Sequence, residues 1–326
     1  MRVLVTGGAG YIGSHAARQL RQHGHPVRVY DNLSTGHACL AQGFDCVVGD
    51  VADREKLLPV LREVDAVMHF AGSSIVSESV QHPQQCFENN VQSGLALLNA
   101  VREAGTLHFI FSSSCAVYGT PLRNPIPETE SRKPGSPYGV SKLFMEYALE
   151  SYAKAYGIRC ASLRYFNAAG ADEGGETGEL HRPETHLIPS ALEAAAGMRE
   201  YLEIYGTDYP TPDGTCVRDY VHVSDLAEAH VLTLEYLAAG RESSAFNLGS
   251  ERGYSVREVI ATVEEVTGRR VPTRVSPRRK GDPPVLVAES QRARELLHWK
   301  PTRSLRDMVA TAWNWQQSRM EMNEQA

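Results

Sequence analysis

The chain has 326 residues, 42% of them hydrophobic and 22% charged, which suits one large or two modest globular domains. A net charge of −6 with no long basic run argues against nucleic acid as a partner, and no apolar stretch approaches the roughly 20 residues of a membrane-spanning helix. Scattered cysteines without C-x-x-C, histidines without H-E-x-x-H, and a first strand starting right after Met1-Arg2 predict a cytoplasmic protein with reduced thiols, no signal peptide and no metal.

Val3-Leu4-Val5 is an apolar run short enough to be a buried strand, and it ends in Thr6-Gly7-Gly8-Ala9-Gly10-Tyr11-Ile12-Gly13. Gly8-Ala9-Gly10-Tyr11-Ile12-Gly13 fits G-x-G-x-x-G, and a helical pattern runs from Ser14 to His23. In such a turn the first glycines let the backbone bend sharply and approach a pyrophosphate. The last lets the helix pack close to the strand, with its first N–H groups facing the anion. Pro26–Tyr30 reads as the second strand and ends in Asp31, about 20 residues beyond the glycines. A carboxylate there accepts both hydroxyls of an adenosine ribose and repels a 2′-phosphate, so the predicted cofactor is NAD rather than NADP.

Further strands are predicted at Cys46–Val48, Ala66–Phe70, His108–Phe111 and Cys160–Leu163. The segments between them carry helix-period apolar residues such as Leu95, Leu97, Leu98 and Val101. This alternation predicts an α/β fold class, a Rossmann doubly wound parallel sheet, over residues 1–167. From Ala168 to about Pro189 the chain is a loop rich in Gly, Glu and Pro. Beyond it, a strand at Ala245–Leu248 and a capping box at Ser255–Glu258 fit a smaller mixed α/β substrate-binding lobe over 168–326. Part of the chain at about 215–250 is expected to return to the first domain.

Ligands in doubly wound sheets bind beyond the carboxyl ends of the strands, and two such places carry chemistry. Ser112-Ser113-Ser114 ends the fifth strand, and Pro137-Tyr138-Gly139-Val140-Ser141-Lys142 opens a helix. Tyr138 and Lys142, four apart, share one helix face. A tyrosine has a reference pKa of about 10, so acting as a base at pH 7 requires about 4 kcal/mol in favour of the phenolate. A neighbouring ammonium and a positive nicotinamide ring supply stabilisation of that kind. Lys142 also reaches towards the nicotinamide ribose, and Ser114 shares the substrate hydroxyl.

Thr6-Gly7-Gly8-x-Gly10-x-x-Gly13, Ser114 and Tyr138-x-x-x-Lys142 together resemble the extended short-chain dehydrogenase/reductase superfamily. Within it the chain resembles the UDP-glucose (UDP-galactose) 4-epimerase family over essentially its whole length. The motifs that carry this are Asp31-Asn32-Leu33-Ser34, Gly49-Asp50-Val51, His69-Phe70-Ala71-Gly72, Glu88-Asn89-Asn90-Val91, Leu163-Arg164-Tyr165-Phe166-Asn167, Pro183-Glu184-Thr185-His186-Leu187-Ile188-Pro189, Val217-Arg218-Asp219-Tyr220-Val221-His222-Val223 and Pro277-Arg278-Arg279-x-Gly281-Asp282.

The resemblance implies an NAD-dependent isomerase of UDP-sugars that acts as a homodimer. For the cofactor it implies contacts from Gly7, Gly10, Tyr11, Ile12 and Gly13, from Asp31, Asn32, Asp50 and Val51 on the adenosine side, and from Phe70, Ala71, Gly72, Asn90, Ser112, Tyr138, Lys142 and Tyr165 towards the nicotinamide. For the substrate it implies Ser114, Tyr138, Phe166, His186 and Tyr205, with Asn167 at the diphosphate or sugar, Leu187 flanking the uracil, Arg218 and Arg279 on the diphosphate, and Asp282 on the uridine ribose. Planar guanidinium groups suit bidentate phosphate binding independently of the resemblance. Related dehydratases and decarboxylases carry acids after the strand-end serine; here the residues are Cys115-Ala116, so neither reaction is expected.

Two positions depart from some family members. Ser74 stands where some have a lysine beside the nicotinamide ribose, and Leu286 where some have a bulky tyrosine beside the sugar. The smaller Leu286 is expected to leave room for an N-acetyl group, extending the substrates to UDP-N-acetylglucosamine and UDP-N-acetylgalactosamine. A 4-epimerase of another UDP-sugar, such as UDP-xylose or UDP-glucuronate, and a non-catalytic NAD-sensing protein are the alternatives. In this family the helix near 94–104 and the Tyr138 helix commonly pair with their copies in a dimer.

Overall fold

A computed structural model describes residues 1–279 and 281–324; Lys280, the unspecified position of the Pro277–Asp282 motif, lies outside the described residues. Among the described residues thirteen strands form: β1 (Val3–Thr6), β2 (Val27–Asp31), β3 (Asp45–Val48), β4 (Ala66–His69), β5 (His108–Ser114), β6 (Arg159–Tyr165), β7 (Asn167–Ala169), β8 (Leu202–Tyr205), β9 (Val217–His222), β10 (Ser244–Leu248), β11 (Gly253–Ser255), β12 (Thr273–Ser276) and β13 (Val285–Leu286). The helices are α1 (Tyr11–Gln22), α2 (Arg54–Leu61), α3 (Val76–Gln81), α4 (Pro83–Phe87), α5 (Ser93–Ala104), α6 (Pro137–Tyr156), α7 (Leu187–Ala195), α8 (Val223–Ala238), α9 (Val256–Thr267), α10 (Gln291–Leu296) and α11 (Leu305–Glu324).

Seven strands make a parallel sheet in the order β3-β2-β1-β4-β5-β6-β10. β1, β4 and β5 are buried along their whole length because helices cover both faces. On one side Val3, Val5, Ala17, Leu20, Leu234 and Phe246 pack between the sheet, α1 and α8; on the other Leu4, Leu57, Leu97, Val101, Phe109 and Leu149 pack beneath α2, α5 and α6. Each fully buried Leu, Val or Phe contributes about 1.5–3 kcal/mol, so the two layers dominate the stability. This is a Rossmann-type doubly wound α/β fold. Strand order reverses between β1 and β4, which opens a crevice at their carboxyl ends.

Within the stretch 215–250, α8 and β10 lie against this main sheet. β9 joins a smaller sheet instead, with β11 antiparallel and with β13 and β7 parallel. β8 and β12 form a parallel pair nearby. Around these strands Ile188, Leu192, Leu202, Val259, Val263, Met308 and Trp313 build a separate core between α7, α9 and α11. No helix among the described residues is long and apolar enough to cross a membrane.

Candidate active site

The glycine turn closes the crevice. Gly7 has φ +73°, and a Cβ there would lie 2.5 Å from the Ala71 nitrogen, so β1 can leave the sheet beside β4 only through glycine. A Cβ on Gly13 would lie 2.2 Å from the Gly7 oxygen. Gly8 is confined as well, since its Cβ would meet Val29 at 2.9 Å, while a Cβ on Gly10 would meet only the Gly7 oxygen, at 3.2 Å. α1 starts at Tyr11 rather than Ser14, with Gly10 as a cap that offers no side chain. The N–H groups of Tyr11, Ile12 and Gly13 have no helical partners and face the crevice end, as an anion requires.

Asp31 lies buried at the end of β2, its two oxygens accepting from the N–H groups of Ala9 (2.9 Å) and Leu33 (2.8 Å). Beside it, Asn32 donates to Asp50 at 3.0 Å, and Val51 is buried in the adjoining core. Beyond β4, Gly72 has φ +149° and a Cβ on it would meet Asn90 Oδ1 at 2.9 Å. Asn90 sits in a π-helical turn (88–92), accepts from Ser73 N at 2.7 Å and donates to Ser141 Oγ at 3.0 Å. That turn ties the loop holding Phe70, Ala71 and Gly72 to α6. A cradle that only glycine can line, with a carboxylate at its far end, fits an adenine dinucleotide.

Tyr138 and Lys142 occupy the first two turns of α6, whose start is set by Ser136 (its hydroxyl accepts from Gly139 N) and by Pro137. Lys142 is buried, donates from Nζ to the Ser112 carbonyl at 2.9 Å, and stands 5.7 Å from the Tyr138 ring centroid. Burial lowers its ammonium to about 8. Burial pushes the Tyr138 hydroxyl up to about 12, with the neighbouring Ser114 hydroxyl acting in the opposite direction. Ser114 ends β5 and caps the turn 115–118, accepting from Ala116 N at 3.2 Å. Ser112 and Tyr165, on adjacent strands, hydrogen-bond through their hydroxyls.

Behind these groups lies a buried network that sequence reasoning missed. Glu146 accepts from Ser113 Oγ (2.6 Å) and from Arg164 Nε (2.8 Å) and Nη2 (2.6 Å), with both charged side chains nearly inaccessible to water. Arg164 also donates to the Tyr118 hydroxyl, which donates to Asn247 on β10 at 2.7 Å. The network locks α6 to β5, β6 and β10 and so sets Tyr138 and Lys142 against Ser112 and Ser114. The available signal was spacing: Tyr138, Lys142 and Glu146 form one i, i+4 stripe.

The expected substrate residues fall on the smaller lobe and its junction. Arg218, on β9, pairs with Asp282 at 2.5 Å, and the Arg279 guanidinium stacks 4.0 Å over the Tyr205 ring. Leu286 is registered beside Arg218 and packs with Cys115, Leu143 and Phe166, so the turn after Ser114 faces this cluster. Asn167 donates to the Asp219 carbonyl at 2.8 Å. His186 caps α7 and Leu187 is its first residue, but the His186 ring is turned towards Glu179.

Residues 3–249 match the NAD dependent epimerase/dehydratase family. The chain is 50% identical to UDP-glucose 4-epimerase of Azospirillum brasilense, over 97% of this chain and 92% of that one. Among solved structures it is similar to UDP-glucose 4-epimerase from Brucella ovis in complex with NAD (TM-score 0.94, 50% identity, 96% and 97% of the two chains). It is also similar to the enzyme from Stenotrophomonas maltophila with bound NAD and formylated UDP-arabinopyranose (TM-score 0.95, 42% identity, 99% of each chain).

Proposed function

The chain belongs to the NAD dependent epimerase/dehydratase family, and we propose that it works there as a UDP-glucose 4-epimerase, interconverting UDP-glucose and UDP-galactose. It is an NAD-dependent isomerase. The observation that carries the reading is the juxtaposition of a glycine-lined dinucleotide cradle, a buried Tyr–Lys pair and a paired arginine on the adjoining lobe.

When bound, NAD supplies the acceptor for the C4′ hydride and returns it. Tyr138 as phenolate accepts the 4′-hydroxyl proton, and Ser114 shares that hydroxyl. Even with Lys142 beside it the hydroxyl is held near 12, so the tyrosine keeps its proton at neutral pH until further positive charge stands there. A nicotinamide ring would provide that charge, and Lys142 adds to it. Arg218 and Arg279 grip the diphosphate, and Asp282 takes the uridine ribose in place of its pairing with Arg218. Few groups grip the sugar, so a 4-keto sugar held by its diphosphate turns its other face to Tyr138, which then gives the proton back. The remaining contacts are divided as the motifs imply, with Asp31, Asn32, Asp50 and Val51 at the adenosine, Asn90, Ser112 and Tyr165 towards the nicotinamide, and Leu187 and Tyr205 at the uridine; the His186 ring, turned towards Glu179, takes no part there. Leu286 leaves room for an N-acetyl group on the sugar.

Residues 1–167 with α8, β10 and α10 form the NAD-binding unit, and most of the remainder forms the UDP-sugar lobe. Two copies associate: α6 exposes Val140, Phe144 and Tyr147, an i, i+4, i+7 stripe, beside exposed Phe87 at the foot of the neighbouring helix run. The function is tested by Tyr138→Phe, which is expected to abolish turnover of UDP-galactose while leaving NAD bound. Turnover within tenfold of the parent enzyme would remove Tyr138 as the base.

A further inference from the structure

The loop entering α7 gathers four metal-ligand side chains within eight residues: Glu179, His181, Glu184 and His186. One donor atom from each lies within 4.8 Å of the other three. His181 Nδ1 stands 2.7 Å and His186 Nδ1 2.5 Å from the same oxygen, Glu179 Oε1, and His186 Nδ1 is 3.4 Å from Glu184 Oε1. Both carboxylate side chains are only 7% exposed, and among the described residues neither has a lysine or arginine within 4 Å. Two buried negative charges thus face only two imidazoles. A single proton on the imidazoles cancels one charge, whereas a divalent cation with both imidazoles neutral cancels both.

We propose that this Glu-x-His-x-x-Glu-x-His loop holds a divalent transition-metal ion, best matched by Zn²⁺, in a two-histidine, two-carboxylate site. Tetrahedral zinc with bonds of about 2.0–2.2 Å places its donors roughly 3.3 Å apart. The donor separations here bracket that value, so small side-chain rotations complete the site. Calcium and magnesium prefer larger all-oxygen shells, and the imidazoles argue against them.

The backbone is already fixed for such a role. Glu184 Oε1 accepts from the N–H groups of Thr185 (2.7 Å) and His186 (2.8 Å). His37 donates to the Leu180 carbonyl at 2.8 Å and Trp315 to the Glu179 carbonyl at 3.0 Å. These second contacts orient the ligands before an ion arrives, and the half-exposed His186 ring offers its way in. The His181 ring also meets Tyr11 edge-on, 6.4 Å between centroids. The ion therefore closes the loop that enters α7 on itself, beside the start of α1 that the His181 ring touches. Its role is structural.

The test uses the full-length, tag-free protein with NAD, freed of metal by dialysis against a chelator and titrated with Co²⁺ alone, then Zn²⁺. One equivalent of Co²⁺ is expected to give the intense visible absorption of tetrahedral coordination, and one equivalent of Zn²⁺ to bleach it. His181→Ala and Glu179→Gln are each expected to weaken binding more than tenfold. A weak octahedral spectrum, failure to saturate at one equivalent, or unchanged binding in both variants would overturn the proposal. The stoichiometry and spectrum of the parent protein decide the matter even if a variant fails to fold.

Discussion

Replacing Lys142 with methionine removes a buried charge while keeping an unbranched side chain of similar length. The ammonium stands 5.7 Å from the Tyr138 ring centroid. With the ring centroid standing for the delocalised phenolate charge and an effective dielectric constant of about 20, a unit charge at that distance stabilises the phenolate by about 3 kcal/mol. This corresponds to about two pKa units. The sign follows from the role of the base: Tyr138 acts deprotonated, so the rate rises with pH through its pKa, and losing a positive neighbour moves that limb upward. The gain exists only while Lys142 is charged, below about 8. With saturating NAD and UDP-galactose, the variant is expected to turn over about 100-fold more slowly at pH 7 and to recover towards alkaline pH. Profiles of kcat against pH, together with an ultraviolet titration of the phenolate, read the shift directly. An acid limb within half a unit of the parent, or a loss equal at every pH, would refute the electrostatic argument and leave Lys142 a purely positioning group.

Glu146→Leu strands Arg164 in the core and should cost about 3–5 kcal/mol in urea denaturation, because the buried guanidinium loses its carboxylate. Burial holds His69 near 3 and His15, His222 and His230 near 4. Their folded values lie below the unfolded one, so the stability they contribute is present above about pH 6.5 and is lost as pH falls towards 4. Each histidine then costs up to about 1.4 kcal/mol per pH unit, which denaturation at pH 7.5 and 5.5 measures. Gly7→Ala should abolish retained NAD, read by cofactor release on denaturation, since its Cβ would collide with the backbone after β4. Leu286→Tyr should shift preference away from N-acetylated sugars, and an unchanged ratio of the two kcat/KM values would remove Leu286 from the sugar pocket.

Much of this was legible because strands buried on both faces leave apolar runs, and the chemistry sits where those runs stop. Thr6, Asp31 and Ser114 each follow or close such a run, so the order of the crevice could be read directly. The reason Gly7 must be glycine could not: the Ala71 backbone that excludes a Cβ there comes from the distant loop after β4. Arg164 and Glu146 lie on different elements, and no local pattern pairs them. The Glu179–His186 set escaped for another reason. Its ligands come from a loop, where helical spacings such as H-E-x-x-H do not apply. Which sheet takes β9 likewise depends on partners far along the chain.

The central claim is most directly tested by incubating the purified protein, with no NAD added, with UDP-galactose and separating the products by chromatography. The account predicts conversion to UDP-glucose, sustained by NAD retained through purification. No conversion, even after NAD is supplied, would contradict it.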